Sequence, residues 1–329
     1  MRTPRTDEKR MLVVATLLFV TAFGLAFWAG FPAKQSLGVT FSTMHARELD
    51  LDPRAVFTAL LDDMGVRQFR IPIYWSDVEP REGDFRWDDV DWMMAEAESR
   101  GARVTLAIGK KVPRWPECFV PDWAKVGDDR TRRDQLEAFL TQAVLRYKGS
   151  AALVRWQVEN EPLLDFGVCE ETDARELGRE VALVRLLDDR HPISITASGE
   201  LEPWSPLAVP ADVLGISMYR ITWNRHFGYI HYPIPAWVYR VRALLIRPFV
   251  DQVAISELQA EPWFPEPISS RRPSEWSAAF TARDLADNVA FAARTGISET
   301  NLWGAEWWYW LKIRGDAGLW EEAKILFAR

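Results

Sequence analysis

The sequence predicts a (β/α)8 TIM barrel preceded by an N-terminal transmembrane helix. The first observation is an alternation: after Pro32, eight short apolar runs alternate with amphipathic segments whose apolar residues recur at helical spacing. The second concerns the first strand-to-helix turn, GVTFSTMHAREL, which lacks the glycine-rich phosphate loop of a doubly wound nucleotide-binding sheet. That sheet is the competing architecture, and the turn argues against it. We therefore expect one barrel domain over residues 36–329.

The N-terminal segment differs in composition from the rest of the chain. Residues 1–10 carry four basic side chains, and residues 11–31 form a run of 21 residues without a charge. Such a run spans a bilayer core of about 30 Å as a helix, and a basic flank stays in the cytoplasm. The segment therefore predicts a single-pass anchor with the barrel outside the cytoplasm. A cleavable signal peptide is the alternative, since Gly24 and Ala26 offer small residues for cleavage and secretion.

The composition limits the partners and cofactors that we expect. The chain has 329 residues, 48% of them hydrophobic, and a formal net charge of -7. An acidic chain is a poor partner for nucleic acid, because phosphate binding requires a concentrated basic patch. The four histidines show no HxH or HxxxH spacing, so no metal site and no cofactor are expected. The 17 tryptophans suit a heavy core or an aromatic-lined cleft.

The strands are predicted from the apolar runs and the helices from the amphipathic segments, several of which end at glycine. The eight predicted strands are 37–42, 67–75, 103–109, 153–160, 193–199, 213–219, 253–258 and 300–308. The predicted helices are 53–65, 87–101, 134–149, 174–189, 235–252, 277–296 and 317–328. The fifth helix is reduced to residues 205–213, where Pro206 and Pro210 interrupt the pattern. Residues 221–233 and 261–274 are predicted as long loops.

Polar side chains follow the predicted strands at their carboxyl ends, where barrel enzymes place their functional groups. Asn160 and Glu161 end the fourth strand, and Glu257 ends the seventh. Two carboxyl groups on opposite sides of a glycosidic bond can cleave it, one as proton donor and one at the anomeric carbon. The sequence therefore favours a carbohydrate substrate. The candidates for substrate contacts at the same face are Arg70, Lys110, Trp115, Asn160, Tyr219, Glu306 and Trp307.

Several stretches resemble a known enzyme family. WQVENEP (156–162) and AISELQAEPW (254–263) resemble the acid/base and nucleophile motifs of the clan A retaining glycoside hydrolases, which include the cellulase-like family 5. RIPIYWSDVEPREGDFRWDD, from residue 70, and WGAEWWYW (303–310) extend the resemblance, which covers Gly38 to Trp320. It implies a retaining hydrolase that cleaves O-glycosidic bonds of a poly- or oligosaccharide.

The resemblance also implies roles for individual residues. Glu161 corresponds to the acid/base, Glu257 to the nucleophile and Asn160 to the contact with the sugar 2-hydroxyl. Tyr219 corresponds to a residue that positions the nucleophile, and Arg70 to a buried cation.

Two departures from the family pattern bear on the substrate. Members often carry a histidine where this chain has Ser217, and the loop after the third strand, GKKVPRWPE, contains no histidine. The sugar, the linkage and the choice between hydrolysis and transglycosylation therefore stay open. A catalytically silent barrel that binds glycan and scaffolds an envelope assembly is the alternative from another class, although a pure binder has no need of two opposed carboxyl groups.

The only two cysteines, Cys118 and Cys169, follow the predicted third and fourth strands. These strands are neighbours in a barrel, and both cysteines lie in loops at its mouth. Outside the cytoplasm such a pair forms a disulfide. We therefore expect Cys118 to pair with Cys169.

Overall fold

The computed structural model describes residues 6–28, 32–169, 172–264, 266 and 272–328. The strands in chain order are β1 (Ser36–Thr40), β2 (Gln68–Pro72), β3 (Arg103–Ile108), β4 (Leu153–Val158), β5 (Ile193–Ser198), β6 (Val213–Met218), β7 (Ile221–Asn224), β8 (Gly228–His231), β9 (Gln252–Gln259) and β10 (Glu299–Trp303). All except β7 and β8 form a closed barrel of parallel strands, in which β10 pairs with β1. The predicted eight-stranded barrel is confirmed.

After the first helix, which precedes the first strand, the helices follow the strands along the chain and surround the barrel. In chain order they are α1 (Thr6–Trp28), α2 (Thr43–Glu48), α3 (Pro53–Asp62), α4 (Trp75–Val78), α5 (Asp88–Ser99), α6 (Asp129–Tyr147), α7 (Ala174–Leu187), α8 (Ser205–Ala208), α9 (Ala236–Ile246), α10 (Pro273–Ala279), α11 (Ala282–Arg294), α12 (Ala305–Lys312) and α13 (Gly318–Phe327). The reduced fifth helix is confirmed. It is α8, which has four residues and carries Pro206 in its first turn.

Two segments differ from the sequence prediction. The predicted eighth strand, 300–308, ends at Trp303, because Gly304 adopts a φ of 133° and α12 begins directly after it. The predicted loop 221–233 contains the antiparallel hairpin of β7 and β8. The second predicted loop, 261–274, includes residues 265 and 267–271, which lie outside the described residues.

Tryptophan side chains fill much of the space between the barrel and its helices. Trp75, Trp156 and Trp308 are almost fully buried. A buried indole N–H requires an acceptor, and the nitrogens of Trp156 and Trp308 donate to Asp188 Oδ2 (2.9 Å) and to Ala260 O (2.7 Å). These tryptophans therefore belong to the hydrophobic core and not to a cleft.

The N-terminal helix α1 is not part of the barrel core, since Met11, Val13 and Leu17 on it are exposed. The predicted membrane span, residues 11–31, includes residues 29–31, and the predicted cytoplasmic segment, residues 1–10, includes residues 1–5; both parts lie outside the described residues. Within the part of the chain that the structure describes, no helix has the length and apolar content to cross a bilayer. The predicted anchor is therefore not confirmed.

Cys118 and Cys169 form a disulfide with their Cα atoms 4.8 Å apart, which confirms the predicted pairing. The bond joins the loop after β3 to the loop after β4. The Val168 N–H also donates to Pro116 O (3.1 Å), and Lys111 forms an antiparallel bridge with Cys118. The two loops therefore brace each other at the mouth of the barrel.

Candidate active site

The backbone at the end of β4 directs two polar side chains into the barrel. Glu159 and Glu161 have positive φ angles of 59° and 45°, a conformation that costs a non-glycine residue about 1–2 kcal/mol. Hydrogen bonds hold the turn: the Asn160 N–H donates to Lys111 O (2.7 Å), and the Glu161 N–H donates to Thr196 Oγ1 (2.9 Å). Asn160 and Glu161 are consequently both buried. Strained backbone of this kind concentrates at functional sites.

A β-bulge lies next to Glu257 on β9. The pairing of β9 with β6 passes from Ile255–Ile216 to Glu257–Ser217, so that Ser256 is the extra residue. Bulges re-aim the side chains beside them and are common next to active sites. The Glu257 side chain is buried and crosses the barrel to Arg70 on β2.

Arg70 donates hydrogen bonds to three side chains inside the barrel. Its Nη1 reaches Glu257 Oε1 (2.7 Å), and its Nη2 reaches Asn160 Oδ1 (2.6 Å). Its Nε donates to Gln157 Oε1 (2.6 Å). A buried cation requires such partners to offset the loss of hydration. This one guanidinium therefore fixes the end of β4 relative to the end of β9.

Glu257 accepts from two donors. Besides Arg70, the Tyr219 hydroxyl donates to Glu257 Oε2 at 3.1 Å. A neighbouring cation and a hydroxyl donor both stabilise the ionised form of a carboxylic acid. The two donors orient the Glu257 carboxyl group inside the barrel, and a carboxylate oriented in this way can attack a carbon atom.

Glu161 lies in the opposite kind of environment. Burial raises the pKa of Glu161 well above its ordinary value, and the nearby carboxylates of Glu257 and Glu117 raise it further. The Ser217 hydroxyl donates to Glu161 Oε1 and only partly opposes this rise. This environment favours the protonated form of Glu161, the form that can donate a proton.

Glu117, on the loop after β3, is a third buried carboxyl group at the mouth. Its Oε2 accepts a hydrogen bond from Asn160 Nδ2 at 3.4 Å. Burial raises the pKa of Glu117 to about 8, and the charge of Glu257 contributes to the rise. Gly167, on the loop across the disulfide, makes room for it, because a Cβ at Gly167 would lie 3.0 Å from the Glu117 Cβ. The sequence predicted Lys110 and Trp115 of this loop as substrate contacts but did not predict Glu117.

A cavity of about 1120 Å³ opens at this mouth, and aromatic rings line much of it. Trp115, Phe166, Trp263 and Tyr219 form a row of edge-to-face contacts, with successive ring centroids 6.0, 6.2 and 5.6 Å apart. Trp115 is 62% exposed. Exposed aromatic faces beside polar groups suit the binding of sugars, whose rings present C–H faces and hydroxyl edges. A second cavity, between α2 and α5, contains none of the predicted site residues.

Residues 33–197 match the family described as Cellulase (glycosyl hydrolase family 5). The chain belongs to glycosyl hydrolase family 5. As a member of that family it is a retaining glycoside hydrolase, and Asn160 and Glu161 lie within the matched residues.

Solved structures share the barrel of this family 5 hydrolase at low sequence identity. A GH5_18 enzyme from Streptomyces cattleya, solved with GlcNAc, is 13% identical with a TM-score of 0.55, and the match covers 83% of this chain and 70% of that one. The exo-beta-1,4-mannosidase from Opitutaceae bacterium strain TAV5 is 14% identical with a TM-score of 0.58, over 91% and 61% of the two chains. The beta-galactosidase from Marinomonas ef1 is 13% identical with a TM-score of 0.58, over 89% and 59%.

Of the seven residues predicted to contact substrate, Trp115 and Tyr219 line the cavity of the family 5 hydrolase. Arg70 and Asn160 are buried inside the barrel, where they contact each other. The remaining three make other contacts. Lys110 pairs with Glu176 on α7 at 3.2 Å. Glu306 is fully buried and accepts a hydrogen bond from the Ser42 N–H at 2.5 Å. Trp307 is fully buried in the core. The prediction placed Glu306 and Trp307 at a strand end, but α12 turns both into the interior.

Other residues of the family 5 hydrolase support the site without having been predicted. Gln157 and Thr196 hold Arg70 and Asn160 through side-chain hydrogen bonds of 2.6 and 3.0 Å. The alternation of Gln157 with Arg155 and Glu159 along β4 is the sequence signal for an inward-facing residue. Among the described residues no group of three or more His, Cys, Asp or Glu side chains is placed to hold a metal ion.

Proposed function

We propose that this family 5 enzyme hydrolyses O-glycosidic bonds of an oligo- or polysaccharide, with Glu161 as acid/base and Glu257 as nucleophile. The observation that carries the proposal is the contrast between the two carboxyl groups. Glu257 accepts from Arg70 and Tyr219, whereas burial and neighbouring carboxylates raise the pKa of Glu161. Two carboxyl groups held in different protonation states are what a retaining glycosidase requires before the first step.

In the first step the Glu257 carboxylate bonds to the anomeric carbon while Glu161 gives its proton to the departing glycosidic oxygen. The bond to the leaving sugar breaks, and a glycosyl ester forms on Glu257. In the second step Glu161, now ionised, takes a proton from a water molecule that attacks the anomeric carbon. The ester breaks, and both carboxyl groups return to their starting states with the anomeric configuration retained.

The neighbouring residues have supporting roles in this proposal. Arg70 and Tyr219 orient the attacking carboxylate. The Oδ1 of Asn160 is occupied by Arg70 and Thr196, so its Nδ2 group is the part that reaches the sugar 2-hydroxyl. Trp115, with Trp263 behind it in the aromatic row, provides a stacking face for a sugar ring.

A panel of aryl β-glycosides tests the proposal. Glu257→Ala should abolish turnover of every substrate. Glu161→Ala should spare substrates with good leaving groups in the first step, because those need no proton. Glu82→Gln, at an exposed glutamate, is the matched control and should leave turnover unchanged. Proton NMR of the first-formed product should show retention of configuration.

Three outcomes would contradict the assignment. They are an inverted product, a fully active Glu257→Ala variant, and a wild-type protein that binds glycans without turning any over. The last result would favour the silent glycan-binding barrel, and products longer than the substrate would identify a transglycosylase.

We further propose that the enzyme acts outside the cytoplasm. The Cys118–Cys169 disulfide supports this, because such bonds persist in oxidising compartments. Cell fractionation with alkylation of unreduced protein tests it. Protein that resists carbonate extraction would be anchored, and a shortened mature N-terminus would identify a cleaved signal peptide. Cytoplasmic protein with two alkylated cysteines would refute the proposal.

A further inference from the structure

A second polar cluster lines the same cavity as the aromatic row. It consists of His45 on α2, Arg114 on the loop after β3 and Glu261 after β9. All three residues are at least nine-tenths buried. Each of them carries one buried atom without a hydrogen-bond partner among the described residues: His45 Nε2, Arg114 Nε and Glu261 Oε2. Leaving a buried polar group unpaired costs about 1–3 kcal/mol, so a cluster of such groups facing a cavity indicates a ligand contact.

Arg114 holds one side of the cluster in place. Its Nη1 donates to Glu261 Oε1 (2.5 Å) and its Nη2 to Glu306 Oε2 (3.1 Å). Its guanidinium also lies 4.1 Å from the centre of the Trp303 ring. These contacts use Glu261 Oε1, and Oε2 is the oxygen that has no partner within the described part of the chain.

His45 Nε2 lies beside that oxygen. The other ring nitrogen, Nδ1, lies 3.1 Å from Glu48 Oε2. An ionised carboxylate can only accept, so Nδ1 carries the hydrogen of this contact. His45 Nε2 and Glu261 Oε2 are 3.9 Å apart, too far for a direct hydrogen bond. The cluster therefore offers the acceptor Glu261 Oε2, the donor Arg114 Nε and the ring nitrogen His45 Nε2 to whatever enters the cavity.

We propose that His45 and Glu261 form a subsite for the hydroxyl groups of a sugar ring, separate from the residues that break the glycosidic bond. The proposal rests on the proposed function, since it assumes a sugar in the cavity. A sugar hydroxyl can donate to Glu261 Oε2 and accept from Arg114 Nε, whereas an ionised carboxylate has no hydrogen to donate to Glu261 Oε2. The subsite therefore selects a neutral sugar over a uronic acid at this position. Tyr219 lines the same cavity, so one bound glycan can reach both the subsite and the nucleophile.

Deoxy sugars test the subsite. The parent is the 4-nitrophenyl β-glycoside that wild type turns over fastest, compared with its 3-, 4- and 6-deoxy analogues and its uronic acid. Wild type should lose roughly 10- to 100-fold in kcat/KM on at least one deoxy analogue, because the loss leaves a buried acceptor unpaired. With the parent glycoside, His45→Ala and Glu261→Gln should have kcat/KM values lower than that of wild type by a similar factor. With that deoxy analogue, the kcat/KM of each variant should fall little further.

His226→Ala, at an exposed histidine between β7 and β8, is the control and should behave as wild type. Glu261 also pairs with buried Arg114, so each variant is first compared with wild type by urea unfolding. If Glu261→Gln does not fold, His45→Ala carries the test. Deoxy penalties that are identical in wild type and His45→Ala would overturn the proposal, and so would a preference for the uronic acid.

If wild type turns over no glycoside, the proposed function fails and the subsite is tested by binding alone. Tryptophan fluorescence then follows titration with the parent glycoside and its deoxy analogues. A penalty for one analogue that disappears in His45→Ala supports the subsite, and equal affinities throughout overturn it.

Discussion

Replacing Glu117 with glutamine should flatten the dependence of stability on pH. Burial and the charge of Glu257 raise the pKa of Glu117 from an ordinary 4.5 to about 8. Between these two pH values the folded protein holds a proton that the unfolded chain releases, so the free energy of unfolding falls as pH rises. The contribution of Glu117 is fully present below the unfolded pKa and is lost as pH rises through the folded pKa.

The magnitude follows from the same two values. At 1.36 kcal/mol for each pH unit, the interval gives a loss on the order of 5 kcal/mol. Glutamine has no proton to release, and its side-chain oxygen can still accept from Asn160 Nδ2. Glu117→Gln should therefore match wild type at low pH and become steadily more stable than wild type towards about pH 8, with a plateau above it. Burial also raises the pKa values of Glu161 and Glu180, and these shifts lower stability with rising pH in the same way. Wild type and Glu117→Gln both retain these two residues.

Urea unfolding followed by tryptophan fluorescence, at intervals from about pH 5 to about pH 9, measures the difference. Glu82→Gln is the control, because it removes an exposed carboxyl group and should give a small difference without a slope. A stability difference between Glu117→Gln and wild type that stays constant across this range would refute the reasoning.

Four further outcomes are expected. Arg70→Met should lower the free energy of unfolding by about 3–5 kcal/mol in urea, because a buried carboxylate and two amides lose their donor; unchanged stability would contradict this. Tyr219→Phe keeps the ring and should lower kcat/KM roughly 10- to 100-fold at unchanged stability, as expected for a lost contact to the nucleophile; full activity would show that the hydroxyl is dispensable. Trp115→Ala should raise KM several-fold with little change in stability, whereas Trp237→Ala, at another exposed tryptophan, should not change KM. Reducing the disulfide, which links residues 51 apart in sequence, should cost about 4 kcal/mol, measured by urea unfolding with and without a reductant.

The positions of the two main carboxyl groups were accessible from sequence because they depend on regular structure. Parallel barrel strands are buried on both faces, so each appears as an apolar run, and the residue that follows the run lies at the mouth. Glu161 and Glu257 follow such runs and lie together in the structure. Arg70 and Tyr219 were accessible for the same reason, since both belong to a strand or its end.

The errors have a different physical origin. The run 300–308 is rich in apolar residues, and such a run alone does not distinguish a strand from a buried helix. Gly304 decides the matter through its positive φ, which ends β10 and starts α12. Glu306 and Trp307 consequently point into the core.

Glu117, Arg114, His45 and Glu261, which the sequence did not bring together, lie outside the strands. Glu117 and Arg114 depend on a braced loop after β3, and both have positive φ, 66° and 92°. His45 and Glu261 meet only because β1 and β9 lie on either side of β10 in the closed barrel. Contacts set by ring closure and by a cross-link leave no periodic signal in a sequence.

The three-way contact of Arg70 has a consequence for how this site can change. Glu257, Asn160 and Gln157 all depend on one guanidinium, so the loss of any one partner alters the surroundings of the other two. The effects of substitutions at these four positions should therefore be strongly non-additive. A first substitution among the four should cause most of the loss of activity and stability, and a second should add comparatively little. A related chain that replaced these four residues one at a time would therefore pass through variants with little activity. We expect the four positions to change together.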